Sequence, residues 1–149
     1  ITLVDGQKMS VGVNSTEYKL VSLLESKVSL DDKSNNWITL DRTFFKSGSF
    51  NIMDNSKPQM QNVAKIFAAY AKSSFIIGGY TENAGDKEMN LKLSGERAGV
   101  VYSVLKDMGI NDYRMKAEGY GIENPICPVN DTKECQAQNR RIDIIIMSR

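Results

Sequence analysis

A short apolar run between two segments of helical periodicity constrains the fold of this chain more than any other feature. Residues 74–80 (SFIIGGY) have the length of a buried strand and are too short to span a bilayer. Helix-spaced apolar positions precede and follow this run: Met60, Val63, Ala64, Phe67 and Ala71, then Leu93, Val101, Val104, Leu105 and Met108. Ser56 is a candidate N-cap for the first helix, Pro58 suits its first turn, and Gly109 is placed to end the second. The sequence therefore predicts a strand between two amphipathic helices.

Three further segments have the pattern of strands: residues 37–45 (WITLDRTFF), 113–121 (YRMKAEGYG) and 140–148 (RRIDIIIMS). The positions predicted to face the core are Ile38, Leu40 and Phe44 in the first of these and Ile142, Ile144 and Ile146 in the last. From about Trp37 the order is β-α-β-α-β-β. This order predicts an α+β fold, a two-layer sandwich in which helices pack on one face of a mixed sheet.

Residues 1–36 predict an N-terminal extension made of a hairpin and a helix. Asp5-Gly6 is a strong turn signal between two short segments. Residues 15–27 (STEYKLVSLLESK) have helical spacing, with Ser15 or Thr16 as the N-cap. The predicted apolar face of this helix consists of Leu20, Leu23, Leu24 and Val28.

The composition favours binding over catalysis. The 149 residues suit a single domain, and a formal net charge of +1 gives no broad field for nucleic acid or an anionic membrane. The chain has no histidine, and its two cysteines cannot complete a zinc shell alone, so we predict no metal and no other cofactor. A carboxylate pair of Glu82 with Asp86 or Glu88 stays formally possible, but nothing in a wet polar loop raises one pKa. No other nucleophile and base can be assembled, and we predict that the protein is not an enzyme.

An acid and a base stand at the two ends of the loop that follows the apolar strand. Residues 81–90 (TENAGDKEMN) would lie at the C-terminal edge of this strand, where ligands collect in helix-covered sheets. If the next helix has begun by Ser94, then Ser94 and Arg97 project from its first turns beside unpaired N–H groups that attract a carboxylate. Glu82 would bind an ammonium, so that the site would hold a zwitterion. The alternative is that Glu82 and Arg97 bind each other or face solvent.

Two adjacent arginines, Arg140 and Arg141, precede the last strand. Because neighbours on a strand point to opposite faces, we predict that at most one of them faces any given site. The alternative is that both belong to a charged strand entry at a sheet edge.

The two cysteines, Cys127 and Cys135, lie close together in a turn-rich segment. They are either reduced, buried thiols or a disulfide that closes a small loop. Because an exposed free thiol is reactive, the sequence favours the disulfide and therefore an oxidising compartment.

Three motifs taken together resemble a known family. They are GGYTENAGDKEMNLKLSGERA, AEGYGIENPI and NRRIDIII. In this order they are similar to the peptidoglycan-binding domain of the OmpA C-terminal family, which includes outer-membrane porins, Pal-type lipoproteins and MotB-like stator proteins. The resemblance covers about residues 37–147. It divides the chain into an N-terminal extension over residues 1–36 and an OmpA-like domain over residues 37–149.

The resemblance implies a periplasmic module that binds peptidoglycan non-covalently, with other envelope proteins as further partners. The implied ligand is the diaminopimelate of the stem peptide, which carries both an ammonium and carboxylates. Because the chain starts at Ile1 rather than Met, we expect a trimmed or excerpted chain whose tether to an outer or inner membrane lies outside this sequence. The implied ligand-binding residues are Thr81, Glu82, Asn83, Asn90, Leu93, Ser94, Arg97 and Arg140.

Two positions depart from the family pattern. Glu82 stands where the family has an aspartate, which moves the carboxylate by up to ~1.5 Å, one C–C bond. Lys46 stands where the family often has an acid. The alternative function is therefore an OmpA-like structural or protein-interaction module of a secretion or stator-type assembly, whose ligand site is detuned or lost.

Overall fold

The computed structural model describes residues 1–31, 35–46, 48–82, 85–123 and 132–149, without the side chains of residues 137 and 138. The strands of this part of the chain form a four-stranded sheet in the order β1-β4-β2-β3. Their bounds are Trp37–Thr39 (β1), Ser74–Tyr80 (β2), Met115–Gly121 (β3) and Arg141–Ser148 (β4). Strand β4 pairs antiparallel with β1 and β2, whereas β2 and β3 are parallel. The sheet is therefore mixed, and the predicted α+β class is confirmed.

Four helices accompany the sheet in the described residues: Thr16–Glu25 (α1), Lys57–Ala69 (α2), Lys87–Asp107 (α3) and Lys133–Asn139 (α4), with short 3-10 turns over Asp54–Ser56 and Asp112–Arg114. Ser15 caps α1, because its hydroxyl accepts from the Tyr18 N–H at 3.1 Å. Pro58 lies at the start of α2, and Gly109, with φ +104°, follows the end of α3 as predicted. No helix in the described part of the chain has both the length and the apolar character needed to cross a membrane.

The core lies between the sheet and the helices. The rings of Phe67 in α2 and Phe75 in β2 stack with their centroids 3.7 Å apart. Helix α1 belongs to this same core rather than to a separate one. The buried apolar side chains of the core include Leu20, Val21, Leu24, Met60, Val63, Ile66, Ile77, Val101, Leu105, Ile142, Ile144 and Ile146.

Helix α3 lies unusually close to strands β2 and β3, because glycines line the contact. A Cβ atom added to Gly119 would lie 2.3 Å from the backbone nitrogen of Gly95, and one added to Gly79 would lie 2.0 Å from the carbonyl oxygen of Ser94. Both distances are far below van der Waals contact, so a side chain at either strand position would push the helix away. We call these three glycines (Gly79, Gly95 and Gly119) the glycine seam. The seam fixes how α3, and the arginine it carries, sits on the sheet.

Several side chains lie outside the positions predicted for them, because elements end earlier than their periodicity suggests. Strand β1 ends at Thr39, so Phe44 is 41% exposed instead of buried, although the Leu40 N–H still bonds the Ile142 carbonyl. Val28 lies beyond the end of α1 and is 44% exposed. Ala71 lies beyond the end of α2 and is exposed.

Ser56 precedes α2 as predicted but does not cap it with its side chain. Its hydroxyl instead accepts from the Phe44 N–H at 2.7 Å and donates to the Phe44 carbonyl at 3.2 Å. The predicted N-terminal hairpin is present as an isolated antiparallel bridge between Thr2 and Lys8. Cys135 is buried and is not a free thiol, but Cys127 lies outside the described residues, so their pairing stays a prediction.

Candidate functional site

A cleft of about 960 Å³ opens where β2 ends, β4 begins and the chain leaves β1. Its walls come from four places: the segment after β1, the end of β2, the middle of α3 and the start of β4. The lining includes Asp41, Thr43, Phe44, Phe45, Thr81, Glu82, Asn90, Leu93, Arg97, Arg140 and Arg141. Because it combines aromatic surface with convergent charges, this cleft has the character of a ligand site.

Most of the residues predicted to bind the ligand line this cleft: Thr81, Glu82, Asn90, Leu93, Arg97 and Arg140. Asn83 lies outside the described residues. Ser94 is fully buried, and its hydroxyl donates to the Leu91 carbonyl at 2.7 Å and accepts from the Gly121 N–H at 3.0 Å. The structure therefore brings the predicted acid and bases together but uses Ser94 to join α3 to the end of β3.

Helix α3 has begun by Ser94, as the prediction required, but it starts well before it, at Lys87. Asp86 is its N-cap and accepts from the N–H groups of Glu88 and Met89. At 1.5 Å per residue, the first turn lies roughly 15 Å along the axis from Arg97. The expectation that the helix N-terminus helps Arg97 to bind an anion is therefore wrong. The signal for the true start was the Gly85-Asp86 pair, a loop glycine followed by a strong N-cap residue.

Arg97 is a buried cation at the floor of the cleft, with 8% of its surface exposed. Its Nε donates to the Ser49 carbonyl at 2.8 Å, and its guanidinium carbon lies 5.2 Å from the centre of the Phe45 ring. It forms no ion pair with any carboxylate of the described residues. Burial, and then the charge of Arg140, lower the pKa of Arg97, while Glu82 opposes them. Within the described part of the chain, Arg97 is therefore a desolvated positive charge without a contacting counter-ion.

Glu82 pairs with Arg140 and not with Arg97. Arg140 Nη1 donates to Glu82 Oε1 at 2.9 Å, and the two side chains are 41% and 25% exposed, respectively. The predicted alternative of a Glu82–Arg97 pair is thus not what the structure contains. Arg97 and Arg140 both lie near the carboxylate of Glu82, so this part of the cleft has an excess of positive charge.

Both Arg140 and Arg141 line the cleft, which contradicts the expectation that at most one of them faces a single site. Arg140 is the C-cap of α4 and lies before the start of β4. The alternation of side chains along a strand therefore does not apply to these two neighbours. Arg141 contacts side chains of the sheet. Its Nε lies 3.2 Å from the carboxylate of Asp143, and its guanidinium carbon lies 3.9 Å from the centre of the Tyr80 ring. Burial raises the pKa of Asp143, although Arg141 and a hydrogen bond from Thr39 act in the opposite direction.

Thr81 is a further polar group at the cleft. The residue is 5% exposed, and its hydroxyl has no hydrogen-bond partner among the residues that the structure describes. Its backbone N–H bonds the Gly121 carbonyl at 2.7 Å, which fixes it at the end of β2. A buried hydroxyl without a partner among the described residues is a polar group that a ligand could satisfy.

The wall formed by the segment after β1 was missed at the level of sequence, because Phe44 and Phe45 were interpreted as the end of a strand. In the structure, Phe45 and Ile52 form an isolated antiparallel bridge, and the intervening loop brings Ser49 to Arg97. Among the described residues, no group of three or more Cys, Asp or Glu side chains is placed to hold a metal ion.

Comparisons with known proteins place the chain in a family. The family model described as OmpA matches residues 44–140. The chain belongs to the OmpA family. The resemblance predicted from the three motifs is thereby confirmed.

Relatives of this OmpA-family chain include envelope proteins. It is 34% identical over 102 residues to the probable lipoprotein YiaD of Escherichia coli and 35% identical over 102 residues to the outer membrane protein Omp38 of Acinetobacter baumannii. It is 32% identical over 101 residues to the peptidoglycan-associated lipoprotein of Agrobacterium fabrum. Each match covers 68% of the chain but only 46%, 28% and 56% of the respective relative, so the chain spans about half the length of these proteins or less.

Solved structures share the fold. The peptidoglycan-associated lipoprotein of Burkholderia pseudomallei superposes with a TM-score of 0.66 at 26% identity, covering 84% of this chain and 99% of that one. A structure described as the cell wall anchor of the T6SS from Pseudomonas aeruginosa has the same TM-score and identity, covering 76% and 81% of the two chains. The C-terminal domain of Helicobacter pylori MotB has a TM-score of 0.66 at 27% identity, covering 72% and 84%.

Proposed function

We propose that this OmpA-family domain binds peptidoglycan non-covalently at the diaminopimelate of the stem peptide and so anchors an envelope protein or complex to the cell wall. The observation that carries the proposal is Arg97, a buried cation that contacts no carboxylate of the residues that the structure describes, at the floor of a cleft that also contains Glu82. Relatives named peptidoglycan-associated lipoproteins, and a structure described as a cell wall anchor, support the same conclusion.

The division of labour follows from charge. Arg97 binds a ligand carboxylate, since its planar guanidinium suits a carboxylate and no carboxylate of the described residues contacts it. Glu82 binds the ligand ammonium in exchange for Arg140. Because the Glu82–Arg140 pair is partly exposed, it contributes only ~0–1 kcal/mol and is displaced at little cost. Arg140 is then released toward a second carboxylate of the same ligand, and the Thr81 hydroxyl donates to it.

The proposed activity is binding without catalysis. The charged groups of the cleft neutralise and orient a ligand. Glu82, the acid proposed to bind the ligand, already accepts a hydrogen bond from the guanidinium of Arg140. With a wall-binding role, the domain would work in the periplasm as part of a membrane-associated protein.

Three small probes separate the two charge roles. We expect calorimetry to show that meso-diaminopimelate binds more tightly than pimelate, which lacks the amines, or 1,5-diaminopentane, which lacks the carboxylates. Glu82→Gln should remove the preference for diaminopimelate over pimelate, and Arg97→Ala should weaken both. Lys116→Ala removes an exposed cation of β3 outside the cleft wall and serves as the control that binds like the wild type.

Pull-down on purified sacculi tests the macromolecular ligand. Wild-type protein and Lys116→Ala should sediment with sacculi, and Arg97→Ala should remain in solution. Undiminished sedimentation of Arg97→Ala would contradict the assigned role of this residue. A wild-type protein that fails to sediment would favour the structural module with a lost site, and tighter sedimentation of Glu82→Asp would indicate a site detuned by the longer acid.

A further inference from the structure

A buried amide, that of Gln59 in the first turns of α2, holds three consecutive residues of the cleft wall. Its Oε1 accepts from the Arg42 N–H at 2.8 Å and from the Thr43 hydroxyl at 2.9 Å. Its Nε2 donates to Asp41 Oδ1 at 2.7 Å and to Glu17 Oε1 at 3.3 Å. These four contacts use the whole hydrogen-bonding capacity of a side-chain amide. The carboxylates require the amino group and the Arg42 N–H requires the oxygen, so the amide has one possible orientation.

The fourth contact of this amide leads to α1. Glu17 is 1% exposed, and besides Gln59 it accepts from Asn62 Nδ2 at 3.0 Å and from one guanidinium nitrogen of Arg42, which reaches both carboxylate oxygens. Burial raises the pKa of Glu17, but these hydrogen bonds and the charge of Arg42 outweigh it, so the net pKa lies below its ordinary value. Glu17 is therefore an ionised carboxylate inside the fold, and Arg42 of the wall is one of its partners.

A second contact from α2 continues along the same wall. The Ser56 hydroxyl bonds both the N–H and the carbonyl of Phe44, as described above. Residues 41–44, which we call the wall segment, are thus held at every position by side chains of α1 or of the start of α2. Asp41, Thr43 and Phe44 of this segment line the cleft.

We propose that Glu17 and Gln59 are positioning residues that set the wall segment of the ligand cleft, so that α1 is part of the binding unit. This inference rests on the proposed function. It assigns a binding role to residues that lie outside the 44–140 region matched by the family model, namely α1, Asp41 and Arg42. Neither positioning residue lines the cleft itself. A pre-set wall spares the ligand the cost of ordering it.

Hydrogen exchange and ligand affinity, measured on the same variants of the full chain, test the two halves of this inference. Gln59→Met removes the amide at nearly constant volume. Glu17→Gln keeps the size of the side chain but removes the charge and turns one of the two accepting oxygens into an amino group. Ile66→Val, at a fully buried position of α2 away from the cleft, is the control for a loss of packing. Groups that support a binding site are generally worth about tenfold or more in affinity when they are removed.

We expect both variants to lose protection at the Arg42 amide while the amide of Ile144 in β4 stays protected. We expect meso-diaminopimelate to bind about tenfold more weakly to either variant than to the wild type or to Ile66→Val, at concentrations where all are folded. If Gln59→Met fails to fold, Glu17→Gln alone decides the outcome. Wild-type affinity together with lost Arg42 protection overturns the positioning role, and unchanged protection overturns the hydrogen-bond network itself.

Failure of the proposed function has a different signature. In that case the wild-type protein binds neither meso-diaminopimelate nor sacculi, which removes the ligand half of the inference. The exchange experiment still decides whether Glu17 and Gln59 hold the wall segment, because it is carried out without ligand.

Discussion

Replacing Arg97 with Met should strongly weaken ligand binding and leave the stability of the fold almost unchanged. The side chain is 8% exposed, and Met fills most of the volume of its aliphatic stem. The substitution removes a charged hydrogen bond to the Ser49 carbonyl, worth ~1.5–3 kcal/mol, and a contact with the Phe45 ring, worth ~0.5–2 kcal/mol. It also removes a buried cation that contacts no carboxylate in the described ranges of the chain, and such a charge costs several kcal/mol to bury.

These contributions nearly cancel, and we expect the free energy of unfolding to change by no more than ~1 kcal/mol. The effect on binding does not cancel. Truncating one partner of a buried, hydrogen-bonded charge pair costs ~2–5 kcal/mol, and at ~1.4 kcal/mol per tenfold the affinity for meso-diaminopimelate falls at least ~30-fold. Arg97→Lys keeps the positive charge but loses the planar guanidinium, so its affinity should lie between those of the wild type and Arg97→Met.

Urea unfolding followed by the fluorescence of Trp37, together with calorimetric titration, measures both quantities on the same samples. A stability loss above ~2 kcal/mol with unchanged affinity would show that Arg97 is a structural residue. The assignment of Arg97 and Glu82 to one ligand site would then be mistaken. If Arg97→Met lowers both the stability and the affinity, the deciding measurement is whether the wild-type protein binds diaminopimelate more tightly than pimelate.

Further predictions follow from features of the fold. Gly119→Ala places a Cβ 2.3 Å from backbone across the glycine seam, so we expect urea unfolding to show a loss of ~2 kcal/mol; wild-type stability would mean that the helix moves freely. The pKa of Glu17 is lowered from its ordinary value of 4.5, so its charge stabilises the fold above that pH and this contribution is lost as the pH falls through the folded pKa. Unfolding of Glu17→Gln should therefore depend less steeply on pH in acid than that of the wild type, and parallel curves would refute this. Arg114 donates to three backbone carbonyls at and just after the end of α2. Arg114→Met should therefore lower the unfolding free energy by ~2 kcal/mol and leave the affinity for ligand unchanged. A loss of affinity would mean that Arg114 also supports the ligand site. Thiol titration of the denatured, unreduced protein should find no free sulfhydryl at Cys127 or Cys135, and two free thiols would exclude the disulfide.

Sequence patterns predicted the elements whose signal is local. The apolar run of residues 74–80 became β2 with the same bounds, and the three isoleucines of β4 face the core as predicted. Glu82, Arg97 and Arg140 were identified from ordered motifs, and the structure brings all three to one cleft. Local periodicity and motif order are properties of neighbouring residues, which is why a single sequence reveals them.

The wall of the site could not be predicted, because it depends on contacts between distant parts of the chain. Gln59 and Glu17 are 42 positions apart, and no pattern marks them as partners. Phe44 fits the alternation of a strand, yet the hydroxyl of Ser56 binds its backbone and the ring is left exposed. The start of α3 was misplaced because the cap at Asp86 acts before the apolar stripe begins. In each case a specific side-chain hydrogen bond, to another side chain or to the backbone, decides the local structure and the periodic pattern does not.

The glycine seam has a mechanical consequence for the proposed anchoring role. Where α3 meets β2 and β3, backbone abuts backbone, with no flexible side chain between them to yield under tension. A pull on a ligand carboxylate held by Arg97 would pass through α3 directly into the hydrogen-bonded sheet. Any accommodation of differently shaped ligands must then come from the opposite side of the cleft, where the Glu82–Arg140 pair is partly exposed, so one side of the cleft is stiff and the other can adjust.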